Sequence, residues 1–265
     1  MKIWAVANQK GGVGKTTTTI TLASILAKRG GRVLVVDLDP HGSLTSYLGG
    51  DPNDTKIGIY DAFVNDYHRP IEHITKTAIT GVSIYKSSLM LATVDRSIGG
   101  AEGKGLMLKN MLDSVSSRYD YVLIDCPPIL GVLMINALAA CDFLIIPSQA
   151  EFLSINGLDR MVDTLAMINK SVNRNLDYLI VPTMYDRRTK ISETSLGIMR
   201  EKYSSNLWRY VVPVDTKLRE ASKEGVSVID IANKSRGASA YSQLLNDILV
   251  RDKRVVTAED VKVAV

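Results

Sequence analysis

The sequence predicts an α/β fold built on a mostly parallel sheet, and three observations carry that prediction. Apolar runs without alternation, such as Val33-Leu34-Val35-Val36 and Val122-Leu123-Ile124, mark strands covered on both faces. Between such runs lie segments with apolar residues at helical spacing, the strand–helix–strand rhythm of a parallel sheet. The first run, Ile3 to Ala7, leads directly into Asn8-Gln9-Lys10-Gly11-Gly12-Val13-Gly14-Lys15-Thr16-Thr17, which reads as a phosphate-binding loop. At 265 residues, 46% apolar and 23% charged, the chain has room for one substantial core.

The loop explains itself chemically. Gly11, Gly12 and Gly14 let backbone N–H groups converge on an anion without Cβ obstruction, and the helix that follows offers its positive end to the same phosphates. Lys15 is expected to bridge the β- and γ-phosphates and the Thr16 hydroxyl to ligate Mg²⁺. A nucleoside di- or triphosphate with Mg²⁺ is therefore the expected cofactor, cradled by Lys10, Gly11, Gly12, Val13, Gly14, Lys15, Thr16 and Thr17. The usual pattern has glycine at position 9, where this chain carries Gln9 followed by an early second lysine, Lys10.

The other elements follow in order. Thr17 to Arg29 is predicted helical and stopped by Gly30-Gly31; Val33 to Asp37 is a buried strand. That strand ends in Asp37-Leu38-Asp39-Pro40-His41-Gly42-Ser43, where the ligand crevice of an open parallel sheet lies. Asp39 can also be read as the N-cap of the next helix. Short helices and loops are expected over 51–80, a strand over 81–86, a flexible turn over 99–105 and an amphipathic helix from Leu106 to Val115. Tyr121 to Asp125 is an apolar strand ending in aspartate, as a Mg²⁺-ordering Walker B carboxylate requires. A helix over Val132–Ala140, a strand over Phe143–Pro147, a helix over Glu151–Met167 and a strand over Asp177–Thr183 come next. The Leu158, Met161, Val162, Leu165, Ile168 stripe reads as core or dimer surface. The last helix is expected over Ala238–Val250, with a charged, valine-rich, loosely held tail over 251–265 beyond the single domain over 1–250.

Composition excludes several classes. Cys126 and Cys141 lack the spacing and histidine partners of a zinc site. No signal peptide or membrane span is visible, so a cytoplasmic protein is expected. A net charge of +4 permits contact with an anionic surface without demanding it.

The stretch Lys10-Gly11-Gly12-Val13-Gly14-Lys15-Thr16 resembles the deviant Walker A loop of the ParA/MinD family of P-loop ATPases, and the resemblance runs from Lys2 to about Val250. It extends to Asp37-Leu38-Asp39-Pro40-His41-Gly42-Ser43, with His41 and Ser43 where the family commonly has Gln and Asn, and to Tyr119–Gly131, Thr183–Lys190 and Lys234–Ala238. It implies a doubly wound P-loop fold and an ATP hydrolase, with ATP or ADP and Mg²⁺ as its cofactors, that closes into an ATP-sandwich homodimer. In that dimer Lys10 would act on the partner's phosphates, Asp39 would position the attacking water, and Thr16, Asp37 and Asp125 would serve the metal. Met184, Pro213 and Asp215 fall where the family holds the adenine.

The same resemblance implies an adaptor protein that stimulates slow turnover. It also implies non-specific DNA binding, with Arg188 and Lys217 where the family contacts DNA; Arg187, Lys190, Arg219 and Lys223 would join them in a basic surface, although Glu220 and Glu224 leave a merely solvated set of charges as the alternative. The opening Trp4-Ala5-Val6-Ala7-Asn8-Gln9 looks most like the ParC-like branch that positions chemotaxis arrays at cell poles, with plasmid or chromosome partition the close alternative. A DNA-independent polar scaffold or a MinD-like spatial regulator is a further reading, although the tail lacks an amphipathic membrane anchor.

Overall fold

The computed structural model describes residues 1–54, 58–64, 70–98, 104–171 and 173–262. A seven-stranded sheet has the order β3-β4-β2-β5-β1-β6-β7. Its strands are β1 Lys2–Val6, β2 Val33–Asp37, β3 Ile74–Lys76, β4 Val82–Tyr85, β5 Tyr121–Asp125, β6 Phe143–Gln149 and β7 Asp177–Thr183. All pairings are parallel except β3 with β4 at the edge. The expected mostly parallel sheet is thus present.

The alternation within each strand explains the unbroken apolar runs. Ile3, Ala5, Leu34, Val36, Val122 and Ile124 point into one core, whereas Trp4, Val6, Val33, Val35 and Leu123 point into the other. The first core is closed by α3 (Ile59–Val64), α4 (Leu91–Ile98), α5 (Met107–Asp113), α6 (Val132–Ala140), α7 (Phe152–Ser171) and α8 (Lys190–Lys202). The second is closed by α1 (Lys15–Lys28), α2 (Ser43–Tyr47) and α11 (Arg236–Lys262). Each such fully buried aliphatic side chain contributes roughly 1.5–3 kcal/mol, which is why neither face of the sheet tolerates polar alternation.

Several expectations are corrected. Asp39 caps no helix, because α2 begins four residues later behind Gly42, whose left-handed φ of +63° suits glycine. The last helix does not stop at Val250: it continues to Lys262, and beyond Val250 it is tied to the sheet by Arg251 to Asp177 (2.5 Å) and Asp252 to Lys2 (3.1 Å). The strand β3 and helices α4, α8, α9 (Thr216–Glu224) and α10 (Val228–Ile231) were not anticipated. The turn expected over 99–105 lies mostly outside the described residues.

Candidate functional site

The site lies at the carboxyl ends of β1, β2 and β5, where the central strands hand over to loops. Asn8 leaves β1 fully buried; its amide Nδ2 donates to Pro147 O (2.7 Å) and its Oδ1 accepts from Lys10 N (3.1 Å). Gln9, the departure from the usual glycine, donates through Nε2 to Thr164 Oγ1 on α7 (2.7 Å). The Lys10 ammonium reaches Glu151 and Ser154 Oγ (2.8 Å) at the start of the same helix. The loop is therefore fastened to β6 and α7 before it turns.

The turn itself needs glycine. Gly12 and Gly14 stand at φ +75° and +92°, and Gly14 is the N-cap of α1 without any side-chain cap. A helix start in that condition leaves its first N–H groups to a ligand. Thr183 Oγ1 supports the loop from β7 by donating to Val13 O (2.9 Å). Lys15 is 8% exposed, and its ammonium donates to Lys10 O (3.2 Å), so two of its three hydrogens remain for an anion.

Two carboxylates face this loop from neighbouring strands, since Asp37 and Asp125 are register partners. Thr16 Oγ1 donates to Asp125 Oδ2 (2.6 Å), while Asp125 Oδ1 is buried with no hydrogen-bond partner among the described residues. Burial pushes the Asp125 carboxyl up to about 7, against the opposing hydrogen bond from Thr16 and the charge of Lys15. An orphaned carboxylate oxygen beside a threonine hydroxyl is a donor set that suits a hard divalent cation. Asp37 differs. Burial, then its proximity to Asp125, raises its carboxyl, and Oδ2 accepts from both Thr45 N and Thr45 Oγ1 (2.7 Å each). Its Oδ1 takes Asp39 N (3.2 Å). Asp37 thus holds the loop after β2, next to Asp125.

A cleft of about 360 Å³ opens beside Gly14 and Thr17, lined by Met184, Pro213, Asp215, Arg219 and Tyr241 among others. The three expected adenine contacts are therefore brought together next to the loop. The Asp215 carboxylate also accepts from Lys217 N (2.9 Å) and Gly237 N (2.7 Å). Partial burial works to raise its carboxyl, and those donors outweigh the effect and hold it below the ordinary range.

The expected basic residues are divided. Arg187 and Arg188 line a cleft of about 620 Å³ with Arg236, which the sequence reading did not single out. Arg219 instead borders the nucleotide-sized cleft, while Lys190 opens α8 and Lys217 lies in the first turn of α9, both exposed. Arg188 pairs with Asp186 (2.6 Å) and Lys217 with Glu220 (2.5 Å). Glu151, Ser154 and Thr45 were also missed, because each meets its partner through the fold rather than through a motif.

Three comparisons bear on this site. A family model described as an AAA domain matches residues 1–178. The sporulation initiation inhibitor protein Soj of Bacillus subtilis is 36% identical over 248 residues, covering 93% of this chain and 98% of that protein. The chromosome partitioning protein ParA of Caulobacter vibrioides is 33% identical over 256 residues, with 96% of each chain covered. Among solved structures, a cobyrinic acid a,c-diamide synthase from Mycobacterium smegmatis with bound ATP analog and magnesium superposes with a TM-score of 0.82 at 32% identity, covering 94% of both chains.

Proposed function

The chain belongs to the Soj/ParA family of P-loop ATPases, and from that premise we propose that it is a Mg²⁺-dependent ATP switch whose nucleotide state sets dimerisation and thereby the position of a cargo. The observation that carries this reading is the Thr16–Asp125 contact with its orphaned Oδ1, set beneath a glycine loop that ends in an uncapped helix. Residues 1–250 act as one ATPase domain.

The residues divide the work. Backbone N–H groups from Gly11 to Thr17 and the Lys15 ammonium bind and orient the phosphates, while Met184, Pro213 and Asp215 receive the base. Thr16 and Asp125 would hold Mg²⁺, which neutralises charge on the phosphate oxygens when bound. Asp39, 13% exposed and anchored to the loop behind Asp37, orients the attacking water. Positioning and electrostatics supply the catalysis, as phosphoryl transfer asks little covalent chemistry of the protein.

The ATP-bound state is a homodimer joined face to face across this site. Exposed Ile129, Leu130, Phe152 and Leu153 follow β5 and β6 on the same edge as the loop, an apolar surface that a second copy would cover. Lys10 then leaves Glu151 for the partner's phosphates, and an adaptor protein accelerates the hydrolysis that dissolves the pair. The cargo is DNA bound without sequence preference through Arg187, Arg188, Lys190, Lys217 and Arg219, as in partition. One observation favours a second reading, in which a protein partner at a cytoplasmic pole, such as a chemotaxis array, sets position: Arg188 and Lys217 already spend their charge on Asp186 and Glu220.

The test combines light scattering with duplex binding, using Asp39→Ala protein to slow hydrolysis. ATP-dependent dimers that Lys10→Ala abolishes, with ATP affinity retained, are expected; normal dimers in that variant would refute the cross-subunit role. ATP-dependent binding to random duplex that falls steeply with salt is expected of the DNA reading. Dimers that bind no duplex at low salt would leave the protein-partner reading.

A further inference from the structure

Asp39 is held on several sides. Its N–H donates to Asp37 Oδ1 (3.2 Å), and its carbonyl accepts from Ser87 Oγ (2.6 Å) and from Gly42 N (2.8 Å). The main chain at this position therefore has one place to be. A carboxylate on a fixed backbone still has two oxygens and a freely turning end, and only an external donor decides which oxygen faces outward.

That donor is His41. Asp39 Oδ1 accepts from both His41 N (3.0 Å) and His41 Nδ1 (2.8 Å). A carboxylate only accepts, so the ring nitrogen carries the hydrogen and donates it. Oδ1 is thereby doubly engaged, and among the described residues no hydrogen bond reaches Oδ2. Packing does not account for a histidine here, because its side chain is 76% exposed. Its ring stands at the edge of an apolar cleft of about 290 Å³ formed with Pro127, Pro128 and Ile129, between the loops that follow β2 and β5.

We propose that His41 is a positioning residue for ATP hydrolysis, fixing the Asp39 carboxylate so that Oδ2 is the oxygen presented to the attacking water. The inference rests on the reading of Asp39 as the group that orients that water. It gives the chain's departure at position 41 a task. Asparagine carries an N–H at the same covalent distance from Cβ as histidine Nδ1, whereas glutamine places its amide nitrogen one bond farther out, so the two amides separate donor position from side-chain polarity.

Single-turnover ATP hydrolysis and the affinity for a fluorescent ATP analogue, measured on the full chain, test the assignment in His41→Ala, His41→Gln, His41→Asn, Asp39→Ala and the Asp39→Ala/His41→Ala pair. Loss of one hydrogen bond to a charged group at an exposed position predicts hydrolysis slowed about threefold to tenfold in His41→Ala and His41→Gln. Nucleotide affinity should stay unchanged, and His41→Asn should remain within about twofold of the native rate. In the Asp39→Ala background, loss of His41 should change nothing further. Native hydrolysis in His41→Ala beside an inactive Asp39→Ala would overturn the His41 assignment alone, as would equal losses in all three His41 variants. Native hydrolysis in Asp39→Ala would instead remove the premise about Asp39.

Discussion

Asp125→Asn separates what a buried carboxylate costs the fold from what it does for the ligand. Burial lifts this carboxyl from 3.8 to about 7 in the nucleotide-free protein. A carboxyl whose folded value exceeds its unfolded one holds its proton more tightly when folded. Its stabilisation is therefore full below about pH 4 and is lost as pH rises through about 7. That interval corresponds to at most about 4 kcal/mol. The asparagine carbonyl can still accept from Thr16 Oγ1, but its NH₂ falls where Oδ1 has no partner, a cost of about 1–3 kcal/mol. The net expectation is a gain of about 2 kcal/mol near pH 8, or about 4–8 °C in Tm for a chain of this size. Calorimetry of EDTA-treated, nucleotide-free protein from about pH 4 to about pH 8 should show the advantage absent at the acid end and full above neutrality. Mg·ATP should meanwhile stabilise the variant less than the native protein. A variant destabilised equally at both ends would refute the claim that this carboxylate is held against its solvation.

Thr45→Val keeps the shape of a buried side chain while removing its donor to Asp37 and its acceptor for Ser87 N, so a loss of about 3 kcal/mol, or about 6–12 °C, is expected by thermal melting. Glu151→Gln removes the charge that holds Lys10, an ion pair about one-third exposed; ATP-dependent dimers should form at protein concentrations about twofold to fivefold lower, read by light scattering. The double variant Arg188→Ala with Arg236→Ala should lower the salt slope of duplex binding by about one to two if the shared cleft contacts phosphate, and leave it unchanged if it does not.

The parts of this protein that could be read from the sequence are those made by contiguous residues. β2, β5 and β7 declare themselves because both faces are buried, and the phosphate loop does so because one stretch of backbone builds it. β3 escapes notice since Ile74 and Thr75 are half-buried, Lys76 is exposed, and the strand pairs with β4 only at the sheet edge. α9 escapes for a similar reason: Ala221 is its one buried residue, so no apolar stripe marks it. In the site, Thr16 and Asp125 were legible from two motifs. Thr45 was not, because a buried threonine in a polar turn looks like any other until Asp37 is seen to need its hydroxyl. Arg236 comes to Arg188 across 48 positions of chain by virtue of where α11 starts.

The departure at Gln9 shows most clearly how motif and fold interlock. Glycine there would leave the loop entrance held by Asn8 alone, whereas Gln9 reaches Thr164, two turns and more along α7 from the Glu151–Ser154 end that holds Lys10. A Cβ at Gly157, between those anchor points, would lie 3.4 Å from the Lys10 Cβ, so helix and loop pass close there as well. Gln9 and Asn8 fasten the loop through their own side chains, so the terminal ammonium of Lys10, bound among the described residues to Glu151 just before α7 and to Ser154 in its first turn, could leave without breaking those bonds. The same first turn carries exposed Phe152 and Leu153. Covering those side chains with a second copy would bring the new phosphates toward Lys10 at the place where its present partners sit. In the proposed dimer, the exchange of Glu151 for a partner's phosphate would be a local event at one helix end, and the pull of Glu151 would set how much ATP-state affinity is needed to complete it.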